Sequence, residues 1–98
     1  MNIYQAVTMN ENDKVAVALK NVEKNSTVEL MHKNEMIKVV LLDDIDFGHK
    51  FSIVPIKKGE KILKYGEVIG AATRDIEVGE HVHVHNLEGT RGRGDQVG

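Results

Sequence analysis

The chain has 98 residues, a formal net charge of −2 and no cysteine. This length allows one small domain, and the mixed charges argue against a nucleic-acid partner held by bulk electrostatics. The lack of cysteine excludes disulfides and thiolate metal sites. The longest largely apolar stretch, 37–42, is too short for a signal peptide or a membrane span. We therefore expect a cytoplasmic protein without a membrane or nucleic-acid partner.

Short strands separated by turn signals dominate the predicted structure. Asp13 can cap a short helix, but Val15, Val17 and Leu19 alternate with small or polar residues, which favours a strand with at most a helical turn. Further strands are predicted at 27–31, 37–42, 50–55, 61–64, 68–73 and 81–85. The pattern indicates an all-β or mainly β domain, a compact barrel or clip rather than a helical bundle.

Four segments share one pattern, in which a turn-forming residue precedes Val or Ile and a glycine or asparagine follows three residues later. They are 21–28, 44–51, 55–62 and 75–82. Gly48, Gly59 and Gly79 can take a positive φ at no steric cost, and Asn25 is a residue type that tolerates the same conformation. We predict four similar corners, spaced too irregularly for a solenoid.

The composition changes at residue 88. The segment 88–98 holds four glycines and no aliphatic residue before Val97. We therefore predict a β domain over 1–87 and a flexible tail over 88–98 that becomes ordered on contact with a partner.

Residues 44–86 resemble the amino-terminal SAF-like (β-clip) domain of the altronate and galactarate dehydratase family. The resemblance rests on Gly48-His49-Lys50, on KYGEVIG at 64–70, on ATRDI at 72–76 and on HVHVHN at 81–86, in the family's order. The tail segment 91–95 looks like the ending of members in which this domain is a separate polypeptide. In fused members, a large catalytic domain follows.

The resemblance implies a fold like that of type III antifreeze protein. It also implies a role in removing water from a sugar-derived hydroxy acid to give a 2-keto-3-deoxy acid, with a divalent metal such as iron. A related two-subunit enzyme eliminates sulfite from sulfolactate. We therefore expect a small subunit that is inactive alone, binds a large catalytic subunit and a small hydroxy-acid substrate, and can form homo-oligomers.

Three histidines alternate with valines near the end of the domain. On a strand, His81, His83 and His85 would share one face, with neighbouring Cα atoms ~6.5–7 Å apart. Two imidazoles in an H-x-H pair can converge on one ion, so we predict these three as metal ligands. The alternative is a solvated polar face opposite a core face formed by Val82 and Val84.

The resemblance makes His49 the predicted catalytic residue, acting as a base or a ligand. An exposed turn is the alternative on composition alone. Because few faces exist on so small a domain, we expect His49 to lie near the histidines of 81–85. The predicted substrate-binding residues are Lys50, Lys64, Tyr65, Arg91 and Arg93, which can hold carboxylates or, for Tyr65, simply cover the core.

Two other functions stay open at this stage. The chain can be a free-standing sugar-acid-binding module without a catalytic partner, or a structural domain whose histidines have no chemical role. A gene for a large dehydratase-like chain beside this one would favour the subunit hypothesis.

Overall fold

The computed structural model describes residues 5–8 and 10–89, which contain nine strands and no helix. All strand pairs are antiparallel, and the predicted all-β class is confirmed. The segment at 15–19 forms a strand without a helical turn. The strands are β1 (Ala6–Val7), β2 (Val15–Ala18), β3 (Thr27–His32), β4 (Glu35–Val40), β5 (Lys50–Ser52), β6 (Lys61–Lys64), β7 (Glu67–Ala72), β8 (His81–Val82) and β9 (Leu87–Gly89).

A four-stranded sheet in the order β1-β2-β5-β8 lies between two hydrophobic clusters. Alternate residues of a strand point to opposite faces, so Ala16 and Phe51 pack into one cluster while Val15 and Val82 pack into the other. The hairpin β3–β4 packs with the first cluster and the sheet β6-β7-β9 with the second. The sheet thus has two buried faces, and functional side chains must project from its ends.

The four predicted corners share one backbone geometry. Asn25, Gly48, Gly59 and Gly79 have φ values of 73°, 84°, 88° and 91°, as predicted. Each forms the first residue of a β-bulge. At the second corner, for example, Gly48 donates its N–H to the carbonyl of Ala18, and Ala18 donates its N–H to the carbonyl of His49. Glycine at the first position is the usual form of such a bulge.

The corners associate in pairs. Val22 bridges to Ile45, and Ile56 bridges to Ile76, each pair exchanging two backbone hydrogen bonds. The first corner therefore pairs with the second around hairpin β3–β4, and the third pairs with the fourth around β6–β7. Spacings that look irregular along the chain arise from a unit of corner, hairpin and corner that occurs twice.

The predicted boundary at residue 88 falls within β9, whose residues pair with β7. The rest of the predicted tail, 90–98, lies outside the described residues. No helix long and apolar enough to cross a membrane is found in the part of the chain that the structure describes.

Candidate histidine site

His49 occupies a corner position that has a structural role elsewhere in the fold. At the third and fourth corners the second bulge residue is Glu60 or Glu80, and its Oε1 accepts the N–H of the residue three positions earlier, at 3.1 and 3.0 Å. The ring of His49 instead reaches β8, where its Nδ1 lies 3.0 Å from Nε2 of His81. The second corner thus lacks the bond that Glu60 and Glu80 make, and the side chain of His49 is directed to a neighbouring imidazole.

Three histidines converge at this end of the central sheet, as the sequence predicted. The ring centroid of His49 lies 5.2 Å from that of His81 and 5.4 Å from that of His83. One nitrogen from each ring lies within 4.8 Å of the others. We call His49, His81 and His83 the histidine trio. His85 lies outside it, although its ring centroid is 5.5 Å from that of His81.

Strand register explains why these rings meet. Phe51 pairs with His81 across β5 and β8, and directly opposite residues of an antiparallel pair point to the same side. His49 precedes Phe51 by two residues and lies on that side as well. Lys50 pairs with Val82 on the opposite side. The structure therefore separates Lys50 from His49, although the two are adjacent in sequence.

The predicted strand at 81–85 is wrong beyond Val82. Residues 83–86 form a turn in which the backbone N–H of Asn86 is donated to the carbonyl of His83 at 3.0 Å. The valine pattern therefore breaks: Val82 is fully buried, whereas Val84 is 78% exposed. The side chain of the buried Asn86 bonds to the backbone on both sides of Val82, which ends the strand there.

The pKa of His81 lies below its usual value. Partial burial is the main cause, and the rings of His49, His85 and His83 add to it, while the carboxylate of Asp43 opposes it. Asp43 also accepts the backbone N–H of His81 at 3.0 Å. A lowered pKa keeps this imidazole neutral near pH 7, which is the form that binds metal ions.

The trio fits a divalent transition metal. Imidazole nitrogens suit zinc, iron, copper and nickel, and catalytic sites commonly use three protein ligands and leave a position for water or substrate. Nitrogens bound at ~2.0–2.1 Å from one ion are at most about 4.2 Å apart, so nitrogens within 4.8 Å of one another need only a small rotation of the rings.

The other predicted site residues lie elsewhere or outside the described part of the chain. Burial and the charge of Lys64 lower the pKa of Lys50. Among the described residues, neither lysine forms an ion pair with a carboxylate. Nζ of Lys64 lies 5.1 Å from the ring centroid of Tyr65, which has a φ of 54° in the β6–β7 turn. Arg91 and Arg93 lie outside the described residues.

Two contributors to the site were not predicted. Asn86 stands in the HVHVHN motif, but only its complete burial shows that its amide organises the turn. Asp43 follows a hydrophobic strand like many loop residues, and nothing in the sequence links it to His81. The fifth histidine, His32, is buried elsewhere, with its Nδ1 3.0 Å from the hydroxyl of Thr8.

The surface around the trio is open and partly apolar. An open depression of about 550 Å³ lies beside it, lined by Leu42, Asp43, Asp44, Arg74, Glu77, Glu80, His81 and His85. Phe47, just before the second corner glycine, is 67% exposed, and Val84 lies between two of the histidines. Ala18 is hydrogen-bonded to the second corner, and Leu19, the residue after it, is 47% exposed.

Comparison with known proteins gives a consistent family. The model of the altronate/galactarate dehydratase SAF domain matches residues 4–90. The chain is 39% identical over 82 residues to altronate dehydratases of Bacillus subtilis and of Escherichia coli, covering 84% of this chain but 16% of each relative. It is 40% identical over 58 residues to (2R)-sulfolactate sulfo-lyase subunit alpha of Paracoccus pantotrophus, covering 59% of this chain and 87% of that subunit.

The chain thus spans about a sixth of the altronate dehydratases it matches and most of the length of the sulfo-lyase subunit. The SAF-domain match extends over nearly all of the described residues, from β1 to β9. The corner glycines, the KYGEVIG turn and the histidine motif all fall within it. This chain therefore belongs to the altronate/galactarate dehydratase SAF domain family.

Proposed function

We propose that this chain is the small subunit of a metal-dependent hydro-lyase that acts on a sugar-derived hydroxy acid. The histidine trio is the observation that carries the proposal, because it offers three nitrogens within 4.8 Å of one another at an open end of the domain. His49, His81 and His83 would hold the ion, and His49 is the residue on which activity should depend most. This ligand set replaces the row of His81, His83 and His85 expected from sequence.

The chemistry of such an elimination explains what these residues contribute. A proton next to a carboxylate must be removed and a β-hydroxyl must leave, which requires a base, an acid and anchors for the carboxylate. A bound divalent ion would act as a Lewis acid on the substrate oxygens. The trio can hold that ion, and His85, outside the trio but beside His81, is available to move a proton.

Lys50 and Lys64 are proposed to bind a carboxylate. Burial, and next the charge of Lys64, lower the pKa of Lys50, so an anion placed between the two lysines would relieve both the cost of partial desolvation and the repulsion. Lys50 lies on the opposite side of β5 from His49 and His81. A substrate that reaches both Lys50 and the trio must therefore pass around the end of the sheet.

A large partner chain is needed to complete the site. The trio lies on an open surface, whereas eliminations of this kind proceed in sites shielded from water. Exposed apolar side chains flank the trio in sequence at Phe47 and Val84, and Leu19 follows the residue bonded to the second corner. Exposed apolar side chains of this kind are suited to close against another protein surface. Relatives carry this domain either within a far longer chain or as a named subunit, which supports a catalytic body as the partner.

A specific observation favours a second candidate. The match to sulfolactate sulfo-lyase subunit alpha covers 87% of that subunit. That subunit is therefore closer in length to this chain than the altronate dehydratases are. Sulfite rather than water would then be the leaving group, with the same trio and partner surface. A free-standing sugar-acid-binding module is the alternative without a catalytic partner.

The test is reconstitution. The chain would be co-expressed with a large dehydratase-like chain from the same genome, and the purified complex assayed for keto-acid formation from aldonates and aldarates and for sulfite release from sulfolactate. We expect turnover by the complex and none by the small chain alone. His49→Ala should assemble normally but lose about 10²-fold or more in activity, whereas the exposed control Met36→Ala should match the parent.

Turnover by the small chain alone would contradict the subunit proposal. Parent-level activity in a correctly assembled His49→Ala complex would contradict the role of His49. Binding of a hydroxy acid by the isolated chain, with no partner that changes it, would favour the free-standing module.

A further inference from the structure

Asn86 is a polar residue with no exposed surface, and its side chain holds the segment that carries the histidines. Its Oδ1 accepts the backbone N–H of His83 at 2.9 Å, and its Nδ2 donates to the backbone carbonyl of His81 at 2.8 Å. A side-chain amide has the same donor and acceptor as a peptide group. Asn86 thus bonds to the outer edge of β8 as a neighbouring strand would.

The outer edge of β8 is closed completely by such bonds. β8 is the last strand of the sheet order, and edge strands leave backbone groups that need partners. The N–H of His81 is donated to Asp43, and the carbonyl of His83 accepts the N–H groups of Asn86 and Leu87 at 3.0 and 2.8 Å. The edge is therefore satisfied by a turn of the same chain, and the strand cannot extend past Val82.

This closure determines where His81 and His83 lie. By bonding to the carbonyl of one and the N–H of the other, Asn86 fixes the backbone distance between His81 and His83. We propose that Asn86 is a positioning residue that holds these two imidazoles at the spacing at which they share one divalent cation with His49. The inference rests on the proposed cation site and identifies the residue that preorganises it.

The surroundings of Asn86 make the amide hard to replace. Its Nδ2 also donates to Oε2 of Glu80 at 3.2 Å, and the same oxygen accepts a hydrogen bond from Arg74 at 3.0 Å. An aspartate would lose the donor to the carbonyl of His81 and would bring a second carboxylate next to that of Glu80. A serine keeps one short polar group, and an alanine keeps none.

The test compares the cation affinity of Asn86 variants with that of the parent chain and of a control variant that is destabilised elsewhere. Zn²⁺ would be titrated into the full chain by calorimetry, well below the melting temperature of every variant. We expect Asn86→Ala and Asn86→Asp to bind Zn²⁺ about 10–100-fold more weakly than the parent, the usual effect of losing a residue that orients metal ligands. Asn86→Ser should fall between. Val28→Ala, which opens the buried first cluster from β3, a strand of a different sheet from β5 and β8, should be destabilised yet keep the parent affinity.

Two outcomes would contradict the positioning role of Asn86, and a third would contradict the cation site. Parent-like affinity in a folded Asn86→Ala or Asn86→Ser chain would overturn the positioning role and leave Asn86 a purely structural residue. The same fall in affinity in Val28→Ala would overturn it too, because any loss of stability would then have the same effect. A parent chain that binds no Zn²⁺ would overturn the cation site itself.

Discussion

The two valines of the histidine motif have opposite environments, and exchanging each for alanine tests the observed turn. Val82 is fully buried in the second hydrophobic cluster, whereas Val84 is 78% exposed. A strand continuing through 81–85 would bury both. The pair therefore provides a matched comparison in which residue type, neighbours and substitution are the same and only burial differs.

The structure gives the expected size of the effect. Val82→Ala removes two buried carbons at about 0.8 kcal/mol each, and the cavity left behind raises the cost to about 2–3 kcal/mol. For a domain of this size, each kcal/mol lowers the melting temperature by about 4–8 °C, so we expect a fall of roughly 8–24 °C. Val84→Ala should change stability by no more than about 0.5 kcal/mol.

Thermal unfolding followed by circular dichroism measures both variants. Falls of similar size in Val82→Ala and Val84→Ala would refute the turn and restore the continuous strand. Little change in either would refute the second hydrophobic cluster as described.

Three further predictions concern the corners and the charged groups. A Cβ on Gly79 would lie 2.1 Å from a carbonyl oxygen at the end of β4, whereas one on Gly59 meets nothing within 4 Å. Gly59→Ala should thus lower the free energy of unfolding by about 1–2 kcal/mol because of its positive φ, and Gly79→Ala should lower it distinctly more. Equal losses of unfolding free energy in chemical denaturation would contradict this packing. Because His81 has a lowered pKa in the folded state, the unfolded chain takes up the proton first, and stability should fall as pH decreases through about 6.5; an equally steep fall in His81→Asn would show that another group is responsible. Lys50→Met should leave the melting temperature unchanged or higher, since it removes a half-buried charge near another lysine. It should also weaken carboxylate binding measured by titration. A clear loss of stability would contradict the absence of an ion pair at Lys50.

The corners were predictable because their physics is local. Asn25 and the glycines at 48, 59 and 79 need a positive φ, and the residues that tolerate it stand out in the sequence. That the second bulge residue caps its own turn at Glu60 and Glu80, but not at His49, depends on which strand lies opposite. Pairing of the corners is likewise a long-range property, so the repeated unit became visible only in the fold.

The candidate site was predictable in part. The convergence of His49 with His81 and His83 follows from the small number of open ends in a small β domain. The end of β8 did not follow, because alternation of histidine and valine fits a strand equally well, and only the buried amide of Asn86 decides against it. Lys50 follows His49 directly in the sequence, but neighbouring strand residues point to opposite faces, so adjacency alone does not bring Lys50 to the trio.

The most direct test of the central claim is a histidine-resolved titration with a divalent cation. Long-range ¹H–¹⁵N correlation spectra of the full chain would be recorded during addition of Zn²⁺, with the ring nitrogens of all five histidines assigned. We predict that the ring nitrogens of His49, His81 and His83 change together to a metal-bound state. Those of His32 should keep their chemical shifts, and His85 should show no bound nitrogen. Binding by His81, His83 and His85 without His49, or no saturable change in any of them, would contradict it.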